Sequence, residues 1–266
     1  MKRFGRILTA GLLISIILIG FAGCGAQKLS CSQVASQIAK SDNAAIKPVP
    51  REGSWMNKFA TINEQVKWNS DSQLIFVGDS ITDFWSRYLN LWDQYFGQYK
   101  PINAGISGDR TQHVLWRLEH GNVDGIHPKV AVVMIGTNNS NKDDFTAEQI
   151  AEGIEAIVCT LRTKLPDTKI LLLAIFPRGD DQQRKDKTQN AVFNPQWAKN
   201  DKASLLASRL ADGKTIVYLD INKNFLDDKG VMTREIMPDL LHPAEKGYRI
   251  WAKSMLPTLE KMMAEN

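Results

Sequence analysis

Five short apolar runs alternate with amphipathic stretches along most of this chain, and that alternation narrows its possible folds more than any other feature. The runs lie at 73–77, 101–104, 130–135, 169–174 and 215–219. Apart from Asn103 in the second, their apolar residues follow one another without polar interruption, as in strands covered on both faces. Between and after them, helical spacing is legible at 81–88, 111–119, 146–164, about 195–211 and 243–263. Strands that alternate with helices in this way predict an α/β protein whose parallel, five-stranded sheet is covered by helices on both faces. Open sheets of this kind place ligands outside the carboxyl ends of their strands. The polar residues that follow each run are therefore the first candidates for function.

A chain of 266 residues suits one sizeable domain. Residues 55–266 carry all the strand signals, with a further helix expected around 55–66. The segment 24–54 holds Ser, Asn and Pro clusters and no strand signal, and reads as a tether leading into the domain. Residues 1–23 read as an export signal. Lys2, Arg3 and Arg6 precede an uncharged, mostly apolar run from 7 to 21 that ends in small residues. The formal charge of +4 comes largely from this segment: without it 30 basic and 29 acidic residues remain, or +1. Nothing in that balance calls for a nucleic-acid partner. Cys31 and Cys159 remain in the body of the chain. An exported compartment permits a disulfide, but spacing does not show whether these two meet. Cys159 lies within a helical pattern and is expected as a small buried apolar residue.

Four polar segments follow the runs. Gly78-Asp79-Ser80 closes the first and opens an amphipathic helix. A serine there lies beside helix N-terminal amides, which favour developing negative charge. Asp79 reads as the cap of that helix. Gly105-Ile106-Ser107-Gly108-Asp109-Arg110 follows the second run, and its two glycines permit a tight turn with exposed amides. Gly136-Thr137-Asn138-Asn139 follows the third, where an asparagine amide can face a shared pocket. Asp239-Leu240-Leu241-His242 precedes the last helix, with a spacing that lets the carboxylate reach the imidazole and set its tautomer. His113 and His120 fall within or at the end of one helix and are expected at the surface. His127 belongs to the opposite end of the sheet from Ser80. No second His or Cys cluster supports a metal site at Asp239 and His242.

These motifs, in this order, resemble the SGNH (GDSL) hydrolase family from about residue 68 to the C-terminus. The blocks 105–118, 136–139 and 176–179 are similar to the subgroup of platelet-activating-factor acetylhydrolase catalytic subunits. The resemblance implies a flavodoxin-like three-layer α/β/α sandwich. It implies Ser80 as nucleophile, His242 as general base and Asp239 as the group that orients His242. The oxyanion hole would comprise the Ser80 and Gly108 backbone N–H groups and the Asn138 side chain, with Thr137, Asp79 and Arg110 bordering the substrate pocket. No cofactor and no metal are implied. Phe21-Ala22-Gly23-Cys24 resembles the lipobox of bacterial lipoproteins, which implies lipidation at Cys24 and a membrane anchor. An ordinary secretory signal and an uncleaved anchor are the other readings of that end.

The expected activity is that of a serine esterase on short-chain esters, acetyl above all, carried on carbohydrates or other small molecules at a bacterial cell envelope. The anchor would sit in the outer membrane if the host is Gram-negative. A lysophospholipase would instead need a long apolar groove. A sugar-binding lipoprotein without turnover could use tryptophans such as Trp55, Trp85, Trp92 and Trp116 for stacking, although core packing is their commoner use. Oligomeric state is not legible.

Overall fold

The computed structural model describes residues 28–142 and 144–265. The lipobox and Cys24 lie outside the described residues. The elements follow in the order α1 (Cys31–Ile38), α2 (Ser54–Trp68), β1 (Leu74–Gly78), α3 (Ser80–Asp83), α4 (Leu89–Phe96), β2 (Ile102–Gly105), α5 (Thr111–Glu119), β3 (Val130–Met134), α6 (Ala147–Lys164), β4 (Lys169–Leu173), α7 (Asp181–Lys185), α8 (Pro195–Ala207), β5 (Ile216–Leu219) and α9 (Glu245–Ala264). All strand pairs are parallel, and the sheet order is β2-β1-β3-β4-β5. This is the flavodoxin-like order, with its switch point between β1 and β3.

Alternation along the strands divides the core in two. Ile75, Val77, Ala131, Val133, Ile170 and Leu172 pack with residues of α1, α2, α5, α6 and α8. Leu74, Phe76, Val130, Val132, Leu171 and Leu173 pack on the opposite face with α4 and α9. The three inner strands β1, β3 and β4 are therefore covered above and below, which explains why their sequences show no polar alternation. The tryptophans belong to this packing: Trp55, Trp85 and Trp92 are buried, and Trp116 packs against Trp55 and Phe59.

Two expectations need correction. The segment expected as a tether is folded from residue 28 onward. Ser30 caps α1, Val34, Ala45 and Ile46 enter the core, and Asn43 donates to the Gln149 carbonyl of α6 at 2.8 Å. Cys159 is not an isolated apolar residue either, because it forms a disulfide with Cys31 that fastens α1 to α6. The contacts that fasten this segment to α6 are long-range in sequence, so local composition could not announce them.

Candidate active site

The site is assembled where β1, β2 and β3 end. β1 stops at Gly78, and a Cβ there would lie 2.1 Å from Thr82 Oγ1 and 2.6 Å from the Met134 carbonyl oxygen. Only glycine lets β3 and the start of α3 approach the end of β1 this closely. Asp79 caps the turn by accepting from the Ile81 N–H at 3.0 Å, and Ser80 becomes the first residue of α3. Residues at that position have no intrahelical partner for their N–H. The expected helix over 81–88 is in fact one α turn followed by a 3-10 turn at Phe84–Arg87. Tyr248 of α9 fixes that turn from behind by donating to the Ile81 carbonyl at 2.7 Å.

Ser80 Oγ stands 2.8 Å from His242 Nε2, and His242 Nδ1 stands 2.7 Å from Asp239 Oδ2. An ionised carboxylate only accepts, so Nδ1 carries the proton and Nε2 is left to accept from the serine hydroxyl. Asp239 also accepts from the His242 and Leu241 backbone N–H groups through Oδ1. Burial would raise its pKa, but the hydrogen bonds from the His242 side chain and backbone outweigh burial and hold the carboxyl well below the usual carboxylate range. The turn that closes this loop places Leu240 at φ 57°, a left-handed conformation unusual for leucine. Its side chain is buried, and its carbonyl accepts from the Gly179 N–H at 2.8 Å, which holds the turn in place. Phe84 packs on the His242 ring at 4.9 Å between centroids, and the Arg87 guanidinium covers the other part of Phe84.

Gly108 lies in the loop after β2, at the same sheet edge as Ser80, with φ 79°. Beneath it lies a buried ionic group that the motifs did not announce. Asp109 accepts from Trp55 Nε1 at 2.6 Å and from Arg117 Nε at 2.8 Å. Arg117 is fully buried and also donates to the Gly78 carbonyl and to Asn122. Burial raises the Asp109 pKa, against the opposing pull of Arg117 and Trp55. Asn138 donates to the Asp109 carbonyl at 2.9 Å, so one of its two amide protons secures the Gly108 loop and the other remains for a ligand. Asn139 is buried and accepts from the Thr111 N–H, joining the loop after β3 to the start of α5.

The residues expected to border the pocket divide differently. Asp79 is buried as a cap, and burial pushes its pKa up to about 7. Thr137 is also buried, where its hydroxyl and carbonyl receive Arg178 Nη1. Arg110 pairs with Asp144 at 2.7 Å and lies over Phe145. His113, expected at the surface, is largely covered and accepts from the Arg110 N–H through Nδ1. Burial and then the neighbouring Arg51, Arg110 and Arg117 push its pKa down to about 4. Arg178 is fully buried, and burial followed by Arg184 pushes its pKa down to about 10, so it stays charged at neutral pH. Arg117 and Arg178 both sit within the sequence blocks that carry the resemblance, yet nothing local marked them as buried. Among the described residues no group of three or more His, Cys, Asp and Glu side chains is gathered to hold a metal.

A parallel α/β sheet with a serine, a histidine and an aspartate joined in series at its carboxyl edge defines the architecture of a serine hydrolase. The sequence places it more narrowly. The chain belongs to the GDSL-like Lipase/Acylhydrolase family, whose profile matches residues 76–250. It is 31% identical over 231 residues to platelet-activating factor acetylhydrolase IB subunit alpha1 of Homo sapiens, covering 85% of this chain and 93% of that one. It is 33% identical over 222 residues to the alpha2 subunit of Rattus norvegicus, covering 83% and 90%. Among solved structures, a GDSL-like lipase from Bacteroides thetaiotaomicron superposes with a TM-score of 0.55 at 20% identity, covering 77% of this chain and 97% of that one. A variant of an acetyl-xylooligosaccharide esterase from Geobacillus Stearmophilus gives 0.55 at 18%, covering 74% and 96%.

Proposed function

We propose that this protein is a serine esterase that removes short acyl groups, acetyl above all, from small-molecule or carbohydrate esters through an acyl-enzyme. The observation that carries the proposal is the continuous chain of contacts from Ser80 through His242 to Asp239. His242 takes the Ser80 proton as Oγ attacks the ester carbonyl, and then protonates the leaving alcohol. Asp239 stabilises the imidazolium between those steps. The tetrahedral oxyanion is received by the Ser80 and Gly108 N–H groups and the free proton of the Asn138 amide. Water then repeats the sequence to release the acid.

Preference for a short acyl group is supported by the acetylhydrolase relatives and by where apolar space lies. An apolar groove of about 570 Å³, lined by residues such as Val34, Ile38, Ile46 and Leu115, lies away from Ser80, Asp239 and His242. The lipobox supports an envelope location with lipid on Cys24. Hydrolysis of p-nitrophenyl esters from acetate to palmitate, by the full chain in detergent, tests the activity. Turnover should be fastest with acetate, fall with chain length, and drop in Ser80→Ala by about 10⁴-fold or more. A palmitate optimum would replace this reading with a long-chain lipase, and absence of turnover on every ester would remove it.

A further inference from the structure

The strap at 43–51 ends in a side chain that grips the loop carrying Gly108. Arg51 Nη1 donates to the Ser107 carbonyl at 2.8 Å and stands 3.5 Å from Asp109 Oδ1. Between those two contacts lies Gly108, where a Cβ would come within 3.1 Å of Nη1 and 3.2 Å of Nη2. The guanidinium therefore lies directly over the Gly108 α-carbon.

We propose that Arg51 is a positioning residue for the oxyanion hole, aiming the Gly108 N–H by holding the carbonyl of the same peptide unit. This rests on the esterase reading above, in which that N–H receives the oxyanion. The Ser107 carbonyl and the Gly108 N–H belong to one planar trans peptide and point in opposite directions. A donor fixed on the oxygen therefore fixes where the N–H points. Because the donor is a cation, it also polarises the peptide and strengthens the N–H as a donor at its far end. At φ 79° the glycine has no side chain to restrict its rotation, so an outside clamp has an effect here that it would lack in a helix or strand.

The surroundings brace the peptide on one side and leave Arg51 to brace it on the other. Asp109 is already anchored by Trp55 and Arg117. Ser107 Oγ donates to Asp83 Oδ2 at 2.7 Å. Arg51 is itself delivered by the strap. The Val49 N–H donates to the Gln112 carbonyl, Thr111 Oγ1 donates to the Ala45 carbonyl at 2.8 Å, and Asn43 and the Cys31–Cys159 disulfide tie the beginning of the segment to α6. Arg51 lies ahead of residues 76–250, which match the family. The strap, through Arg51, thus contributes to transition-state stabilisation.

The test compares wild type, Arg51→Ala, Arg51→Lys and Arg51→Gln in full-length protein. It uses p-nitrophenyl acetate as substrate and an aryl trifluoromethyl ketone as an inhibitor that forms a tetrahedral adduct with Ser80. Arg51→Ala should lower kcat by about 10- to 100-fold, the scale of a misplaced oxyanion donor, with KM within about twofold. The inhibition constant should rise by the same factor, because the adduct needs the same N–H. Arg51→Lys, which keeps a charged donor for the Ser107 carbonyl, should recover most of the loss, and Arg51→Gln should not. Near-ultraviolet circular dichroism establishes that each variant is folded. Equal kcat in Arg51→Ala and wild type would overturn the proposal, as would a fall in kcat with no change in the inhibition constant. Failure of all three variants to fold would make Arg51 a structural residue and overturn it as well. An active wild type with unaffected variants would sink this inference alone. A wild type that neither hydrolyses esters nor binds the ketone would sink the esterase reading, and this inference with it.

Discussion

Asp79 and Asp239 are two carboxylates near one histidine, and their surroundings drive them in opposite directions. Asp239 receives three hydrogen bonds and stays ionised, which suits an acceptor for His242 Nδ1. Asp239→Asn should lower kcat by about 10⁴-fold with little change in KM, because an amide that donates to Nδ1 moves the imidazole proton to Nε2. Single-turnover kinetics on p-nitrophenyl acetate would measure this. Asp79 is buried behind the nucleophile with a pKa near 7, against an ordinary value of 3.8. Between those values the native state holds a proton that the unfolded chain has released, so stability falls as pH rises through this window and levels off above it. Asp79→Asn keeps an acceptor for the Ile81 N–H and removes the charge. It should abolish that slope and stabilise the fold above pH 7 by up to about 4 kcal/mol, the ceiling set by about three pKa units. Urea unfolding at pH 5 and pH 8 would show whether the difference between the two pH values shrinks in the variant, the remainder belonging to Glu155 and Asp201, whose pKa values burial also raises.

Among the elements, the strands are legible in the sequence and the short helices are not. Each observed strand boundary lies within one residue of its apolar run, because burial on both faces leaves one dominant signal. The helices at 111–119 and 146–164 are likewise legible from spacing, the latter starting one residue later at Ala147. α1 is not legible in the sequence because an eight-residue helix carries little periodicity, and its single buried residue, Val34, repeats no pattern. What holds α1 is the disulfide to α6 and the packing around it. Replacing Cys31 and Cys159 together by Ala should cost about 2–5 kcal/mol, given the 128-residue separation. Thermal unfolding with and without reductant should lower the wild type to the level of the double variant and leave the variant unchanged.

At the scale of the whole molecule, the site depends on a buried network that joins three loops. Arg117 binds Asp109 below the Gly108 loop, the carbonyl of Gly78 before the nucleophile, and Asn122 beyond α5. Removing one partner of such a pair leaves the other charged group buried and unmatched. Arg117→Met should therefore destabilise the protein by about 3–5 kcal/mol. The double variant Arg117→Met with Asp109→Leu should recover part of that loss, as chemical denaturation would record. The sequence by itself determined the layered α/β architecture, the strand positions and the loops that carry Ser80, Gly108, Asn138, Asp239 and His242. These follow from local rules: apolar runs, helical spacing, and polar motifs at strand ends. Tertiary structure alone decided that Thr137 and His113 face inward, that Cys31 meets Cys159, that Arg51 and Arg117 meet at Asp109, and that Arg178 is buried against Thr137. The reason is physical. A backbone pattern repeats every two or 3.6 residues and is visible in any short window, whereas the partner of a buried charge or a thiol is chosen by which distant segments the folded sheet brings together.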